Sequence, residues 1–388
     1  MSYITEKDQE YVAGTYARFP VELVSGKGSI VVGSDGKEYI DLGSGIGVTA
    51  FGIADPTWVA AVTAQLNKIQ HASNLYYTEP CALLAEKLCG ITGMKKVFFG
   101  NSGAEANECA VKVARKYAQD KKGPEYQTII TLKNSFHGRT ITTLAATGQD
   151  VFHTKFLPLT DGFLYAQAGD LDGVKELVKN NKVAGIMIEC VQGEGGVISL
   201  ADEFVRGLYD LCQKEDIVFI VDEVQTGNGR TGKPYAYMHY GVNPDVVTTA
   251  KGLGGGLPIG ACIMGEKTEE VLGKGDHGST FGGNPVACAG ALTIVDRMTD
   301  ELMKEVEEKS AYLFDKLGKA EGIESVTGKG LMIGILPKEK SAKEVVAACM
   351  DNGVICLTAK NKVRLLPALN IPFETLKKAA DVIIEACK

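Results

Sequence analysis

Ile217-Val218-Phe219-Ile220-Val221-Asp222-Glu223 is the stretch on which the reading of this chain turns. Its five consecutive apolar residues, mostly β-branched, show no alternation and are bounded by acids, so they read as a strand buried on both faces. Such strands belong to parallel sheets covered by helices. Similar short runs occur at residues 97–99, 128–132, 185–188 and 246–249, separated by helical stretches. Between the first two, Ala106, Cys109, Ala110, Val113, Ala114 and Tyr117 recur at helical spacing, as one crossover helix requires. The pattern predicts an α/β fold with a mainly parallel, helix-covered sheet.

The flanks differ in texture. Residues 29–32 and 38–42, joined by the Asp35-Gly36 turn, read as an antiparallel hairpin. After Pro285 a long helical stretch passes Val295, Leu302, Val306 and Leu313, followed by strand-like 330–336, a helix from Ser341, and strand-like 354–366. Residues 50–284 are therefore expected to form a large α/β domain. Residues 1–49 and 285–388 are expected to form a smaller α+β domain.

Composition excludes several classes of function. With 41 Lys and Arg against 48 Asp and Glu, the net charge is −7, and the scattered cations form no basic stripe for nucleic acid. The polar start reads as no signal peptide, and no apolar run approaches the roughly 18–20 residues of a membrane span. Ten cysteines form no C-x-x-C pair and sit among apolar neighbours, so reduced core thiols in a cytoplasmic protein are expected and a metal centre is not. The 46 glycines in 388 residues exceed the usual roughly 7%, and they cluster where strands end.

Ligands of open α/β sheets bind beyond the carboxyl ends of the strands, and here those ends are polar. Asn101-Ser102-Gly103-Ala104 follows the first run, Ser135-Phe136-His137-Gly138-Arg139-Thr140 the second, Glu189 through Glu194 the third, Asp222-Glu223-Val224-Gln225 the fourth, and Ala250-Lys251-Gly252 the fifth. Five tips would converge on one crevice. Ser102-Gly103-Ala104 would offer helix N-terminal N–H groups to a phosphate, or Ser102 and Glu105 form only a capping box. Asp222, after an apolar run, would order magnesium with Glu223 as in nucleotide hydrolases, hold a protonated ring nitrogen, or be a satisfied strand-end acid. Lys251 in a cramped, dry setting would be a neutral, carbonyl-attacking amine, unless it is a surface lysine. Gly227 to Pro234 matches G-x-x-x-x-G-K, yet Pro234 stands where a phosphate loop needs a hydroxyl.

Taken together, seven ordered blocks resemble the class III aminotransferases of the ornithine and acetylornithine type. They are Gly26-Lys27-Gly28 with residues 35–39, residues 101–108, residues 135–140, Gln192-Gly193-Glu194-Gly195-Gly196, residues 222–227, Lys251-Gly252, and residues 277–285. The resemblance implies the type I fold and pyridoxal 5'-phosphate, with Lys251 joined to the aldehyde and Asp222 on the ring nitrogen. It further implies Phe136 and Val224 on the two ring faces, Gln225 near the ring hydroxyl, and Ser102, Gly103 and Ala104 at the phosphate. Thr280 would reach the phosphate of the neighbouring subunit in a homodimer with shared sites. Arg364 would take the α-carboxylate of glutamate and Arg139 a distal carboxylate, while Glu194 would mask Arg364 when a side-chain amine reacts.

The implied reaction moves a terminal amino group to 2-oxoglutarate, with N-acetylornithine, in arginine biosynthesis, as the expected donor. Ornithine, succinylornithine and 4-aminobutyrate are the alternatives within the family. A magnesium-dependent hydrolase using Asp222 and Glu223 is the alternative outside it, and a fold-retaining binding partner is a third. The chain departs from many relatives at Gly52-Ile53-Ala54-Asp55-Pro56, Cys190 and Asn228, which bears on substrate choice.

Overall fold

A computed structural model describes residues 2–388; Met1, part of the polar start and of the smaller domain's first stretch, lies outside them. The apolar runs form strands β1 (Lys96–Gly100), β2 (Thr128–Leu132), β3 (Phe163–Ala166), β4 (Val183–Ile188), β5 (Val218–Asp222), β6 (Val246–Thr249) and β7 (Gly260–Met264). They build a seven-stranded sheet in the order β1-β7-β6-β5-β4-β2-β3. Neighbours from β6 to β3 are parallel, and β7 runs antiparallel to both β6 and β1.

The buried strands face two layers alternately, as a period of two demands. Ile129, Met187, Val218, Ile220 and Val246 pack beneath helix α1 (Gly103–Lys122). Ile130, Ile186, Phe219, Val221 and Val247 face the opposite layer with Leu208 of the Asp202–Lys214 helix. Helix α1 buries the face expected of it, from Ala106 to Tyr117. It begins at Ser102, whose hydroxyl accepts the Glu105 N–H, and ends in Lys121 and Lys122, matching its dipole.

Two strands are not legible in the apolar runs. The small residues of β7, Gly260-Ala261-Cys262, do not read as a strand, and they let α1 lie close, with Cys262 packed among Cys109 and Ala110. Strand β3, at the edge of the sheet, has no β-branched residue and is only half-buried over Phe163, Leu164 and Tyr165. The long stretch after Pro285 divides into Pro285–Val295 and Asp300–Gly318, the second capped by Thr299.

Beside this sheet, the strands Leu23–Lys27, Ile30–Gly33 and Glu38–Asp41 pair antiparallel, and Val354–Ile355 joins the last in parallel. A second sheet orders Ile323–Lys329, Met332–Pro337, Lys362–Leu365 and Leu357–Ala359. A separate core, including Leu42, Phe51, Val306, Leu313, Ile333 and Ile383, binds these parts together. The Pro285–Val295 helix serves both cores, Ala291 in one and Ile294 in the other. The Gly227 to Pro234 loop is a structural fastening: Arg230, buried, donates to the carbonyls of Leu331 (3.1 Å) and Pro367 (2.5 Å).

Among the described residues no helix is long and apolar enough to cross a membrane. All ten cysteines are free thiols. Leu208 is fully buried between helix and sheet, so Leu208→Ala is expected to cost about 2–5 kcal/mol in denaturant titration, whereas the exposed Asp210→Ala on the same helix stays within about 0.5 kcal/mol.

Candidate active site

The five strand tips open onto one cavity of about 430 Å³, within the roughly 300–1,000 Å³ typical of small-molecule sites. Asn101, Ser102, Gly103 and Ala104 come from β1 and α1, Phe136 and Arg139 from the loop after β2, Glu189 from β4, Asp222, Val224 and Gln225 from β5, and Lys251 from β6. The convergence follows from parallel strands that all end at the same edge.

Asp222, only 3% exposed, is held by three donors. Its Oδ2 accepts from Asn107 Nδ2 and His137 Nδ1, each at 2.8 Å, and its Oδ1 accepts the Val224 N–H at 3.0 Å. A carboxylate only accepts, so His137 carries its proton on Nδ1. Asn107 is in turn fixed by Thr248, whose hydroxyl donates to its Oδ1 at 2.6 Å. The arrangement leaves Oδ1 with a lone pair for a cationic donor in the cavity.

Lys251 stands at the next strand tip, in the cavity wall. Burial lowers its pKa; Glu194, Asp222 and Glu189 oppose that shift and Arg364 adds to it. Its backbone sits at φ +43°, a left-handed conformation that costs a non-glycine residue about 1–3 kcal/mol and marks functional sites. Asn228 steadies the approach, its Nδ2 donating to Thr249 Oγ1 (2.9 Å) and the Ala250 carbonyl (3.2 Å).

At the other end, α1 presents its first N–H groups and positive dipole to the cavity. Gly103 is required there: a Cβ would lie 2.6 Å from Val224 Cγ1. Phe136 and Val224 give the cavity apolar walls. Arg139 is exposed, its guanidinium 5.6 Å from the Phe136 ring centre and 4.4 Å from that of Phe152, with no carboxylate partner among the described residues.

Beside the cavity, buried Arg364 donates to Glu194 at 2.5 Å and to Gln225 at 3.1 Å. Thr280 is not brought to this cavity. It borders a second one, with Asn74, Tyr77, His277 and Ser279. Glu223 also turns away, accepting from the Thr226 hydroxyl (2.5 Å) and the Tyr237 N–H (2.8 Å), so Asp222 and Glu223 do not face one ligand as a magnesium pair would. Of the departures, Asp55 caps the Pro56–Leu66 helix and pairs with Arg297 at 3.0 Å, and Cys190 is core.

A family model described as "Aminotransferase class-III" matches residues 11–387. The chain belongs to the class III aminotransferases. A Haemophilus ducreyi protein named acetylornithine aminotransferase is 50% identical over 383 residues, 98% of each chain. A Salmonella paratyphi A succinylornithine transaminase is 41% identical over 100% of this chain and 97% of its own. The crystal structure of ornithine aminotransferase from Toxoplasma gondii superposes with TM-score 0.94 at 32% identity, covering 99% of this chain and 94% of that one. Membership removes the hydrolase reading that the Glu223 geometry already disfavours.

Class III aminotransferases work with pyridoxal phosphate, and the donor set fits that group. A phosphate suits the glycine-lined start of α1, a protonated ring nitrogen suits the Oδ1 lone pair of Asp222, and an aldehyde suits the poorly solvated Lys251 amine. His137, Asn107 and Glu189 belong to the site but are not singled out by the motif logic. The signals available were an Asn on the apolar face of α1, a Glu directly after a buried strand and a His in the loop beyond another.

Burial pushes Glu223 up to about 7, against the hydrogen bonds from Thr226 and Tyr237 that favour its charged form. With the folded value above the unfolded one, its contribution to stability is full below the unfolded pKa and is lost as pH rises towards 7. Glu223→Gln is expected to flatten the fall in stability between about pH 5 and pH 7, measured by denaturation across that range. An unchanged slope would mean Glu223 stays charged.

Proposed function

We propose that this aminotransferase moves the terminal amino group of N-acetylornithine to 2-oxoglutarate, giving N-acetylglutamate semialdehyde and glutamate in arginine biosynthesis. The observation that carries the choice of donor is the charge lining of the cavity. Among the described residues its lining acids are Glu189 and Asp222 at strand tips, Glu194 beside the cavity is engaged by Arg364, and none accompanies Arg139. A donor with a free α-ammonium would bring a cation towards Arg139 with nothing to pair it, whereas acylation removes that charge and leaves the carboxylate for the guanidinium.

Pyridoxal phosphate, when bound, supplies an aldehyde that accepts the amino group and a cationic ring that takes up the electron pair of a breaking C–H bond. Asp222 Oδ1 would accept from a protonated ring nitrogen, Ser102, Gly103 and Ala104 would hold the phosphate, Phe136 and Val224 would flank the ring, and Gln225, which accepts from Arg364, would lie on the ring hydroxyl side. Lys251 Nζ, favoured neutral by burial, takes the proton from the amine-bearing carbon of the substrate. Glu194 occupies Arg364 while the acylated donor reacts, and gives it up to the α-carboxylate of glutamate, so one cleft serves both substrates.

The working unit is a homodimer in this reading. Leu75, Tyr76, Tyr77 and Phe281 are exposed large apolar side chains in the same region as Thr280, which supports a partner covering them and Thr280 reaching the partner's cofactor phosphate. A core that joins Leu42 to residues 302–387 supports a division into residues 50–284 and residues 1–49 with 285–388, with Phe51 and the Pro285–Val295 helix packed across the boundary. Ten unpaired thiols support a reducing cytoplasm.

An amine-donor panel with 2-oxoglutarate, read as glutamate formed by the purified protein, tests the choice. N-acetylornithine is expected to give a kcat/KM at least about tenfold above free ornithine, a difference of about 1.4 kcal/mol. Glutamate from ornithine but none from N-acetylornithine would overturn the proposal, and a preference for succinylornithine would move it to the longer acyl donor.

A further inference from the structure

Glu189 directly follows β4 and sits on the cavity wall, 5% exposed. Its Oε2 accepts the Phe136 N–H at 2.9 Å, and no cation lies within ion-pairing distance of it among the described residues. The charged groups around it are Asp222 and Glu194, of its own sign, and Lys251; Arg139 also lines the cavity, and His137 is already engaged with Asp222.

Three acids thus crowd one poorly solvated cleft, with unequal support. Glu194 has Arg364, Asp222 has Asn107, His137 and the Val224 N–H, and Glu189 has one amide. Neighbouring carboxylates in a dry site do not ionise together without cost, and the one with more donors keeps the charge. In keeping with this, burial and the Asp222 charge push Glu189 well above the ordinary carboxyl range.

The loop that Glu189 grips is otherwise held on either side of Phe136, not at it. Ser135 is tied to Gly148 and Gln149, and His137 to Thr147 and Asn107. The Phe136 main chain is fixed through Glu189, and the Phe136 ring in turn underlies the Arg139 guanidinium.

We propose that Glu189 is a positioning residue that acts as a neutral carboxyl: it fixes the Phe136 ring, and through it Arg139, while leaving Asp222 the sole negative charge beneath the cofactor ring. The proposal rests on the cavity being the pyridoxal phosphate site.

The test compares wild-type holoenzyme with Glu189→Gln, whose amide carbonyl still accepts the Phe136 N–H and carries no charge, and with Glu189→Ala. Three quantities are read: the pH midpoint of the bound cofactor's visible absorption change, the induced circular dichroism of that band, and kcat and KM for N-acetylornithine. Glu189→Ala is expected to diminish the dichroism and to lower kcat/KM at least about tenfold, chiefly through KM. Glu189→Gln is expected to restore most of both, with the pH midpoint within about 0.3 units of wild type.

A midpoint displaced by about a unit or more in Glu189→Gln would show a charged Glu189 and overturn the proposal. So would a Glu189→Ala variant with wild-type dichroism and KM. A wild type that shows no visible band when loaded would overturn the cofactor reading itself, and this proposal with it.

Discussion

A single buried carboxylate governs the arrangement of this protein. Asp222 stands at the end of a strand buried on both faces, where an unpartnered charge would be costly. Two side chains and one amide give it more protein donors than any other acid in the cleft. Each of those donors belongs to a different piece of the fold: Asn107 to helix α1, His137 to the loop after β2, and Val224 to the turn beyond β5. Their agreement at one carboxylate requires the whole sheet edge to be in register.

The rest of the site follows from that requirement. Because parallel strands end on one side, the lysine at the tip of β6 and the start of α1 meet Asp222 across the same cavity. Because helix α1 lies close over the small residues of β7, its N-terminus comes near enough for Gly103 to touch Val224. The polar ends that open to solvent in an ordinary sheet are here turned into donors of known direction, which is the sense in which the fold is pre-organised. The Arg364–Glu194 pair stands beside this floor, with Arg364 sheltered and Glu194 the more exposed partner.

Much of this was legible in the residues. The apolar runs located five of seven strands, and the polar residues after them located the cavity wall, because strand direction and side-chain burial are local properties. Strands β3 and β7 escaped for physical reasons: one is a half-buried edge strand with no β-branched residue, and the other opens with glycine, alanine and cysteine that let a helix pack closely. Lys251 and Asp222 were recognisable by type and place. Asn107, His137 and Glu189 were not, since their roles depend on which residues they meet across 30 to 115 positions of sequence. Thr280 shows the limit of a single chain, lying in a cavity of its own.

The most direct measurement is a crystal structure of the protein loaded with pyridoxal phosphate. The account predicts density joining the cofactor to Lys251 Nζ, the phosphate at the first residues of α1, and the ring nitrogen within about 3 Å of Asp222 Oδ1. A cofactor seated with its ring nitrogen away from Asp222, or joined to a different lysine, would contradict it.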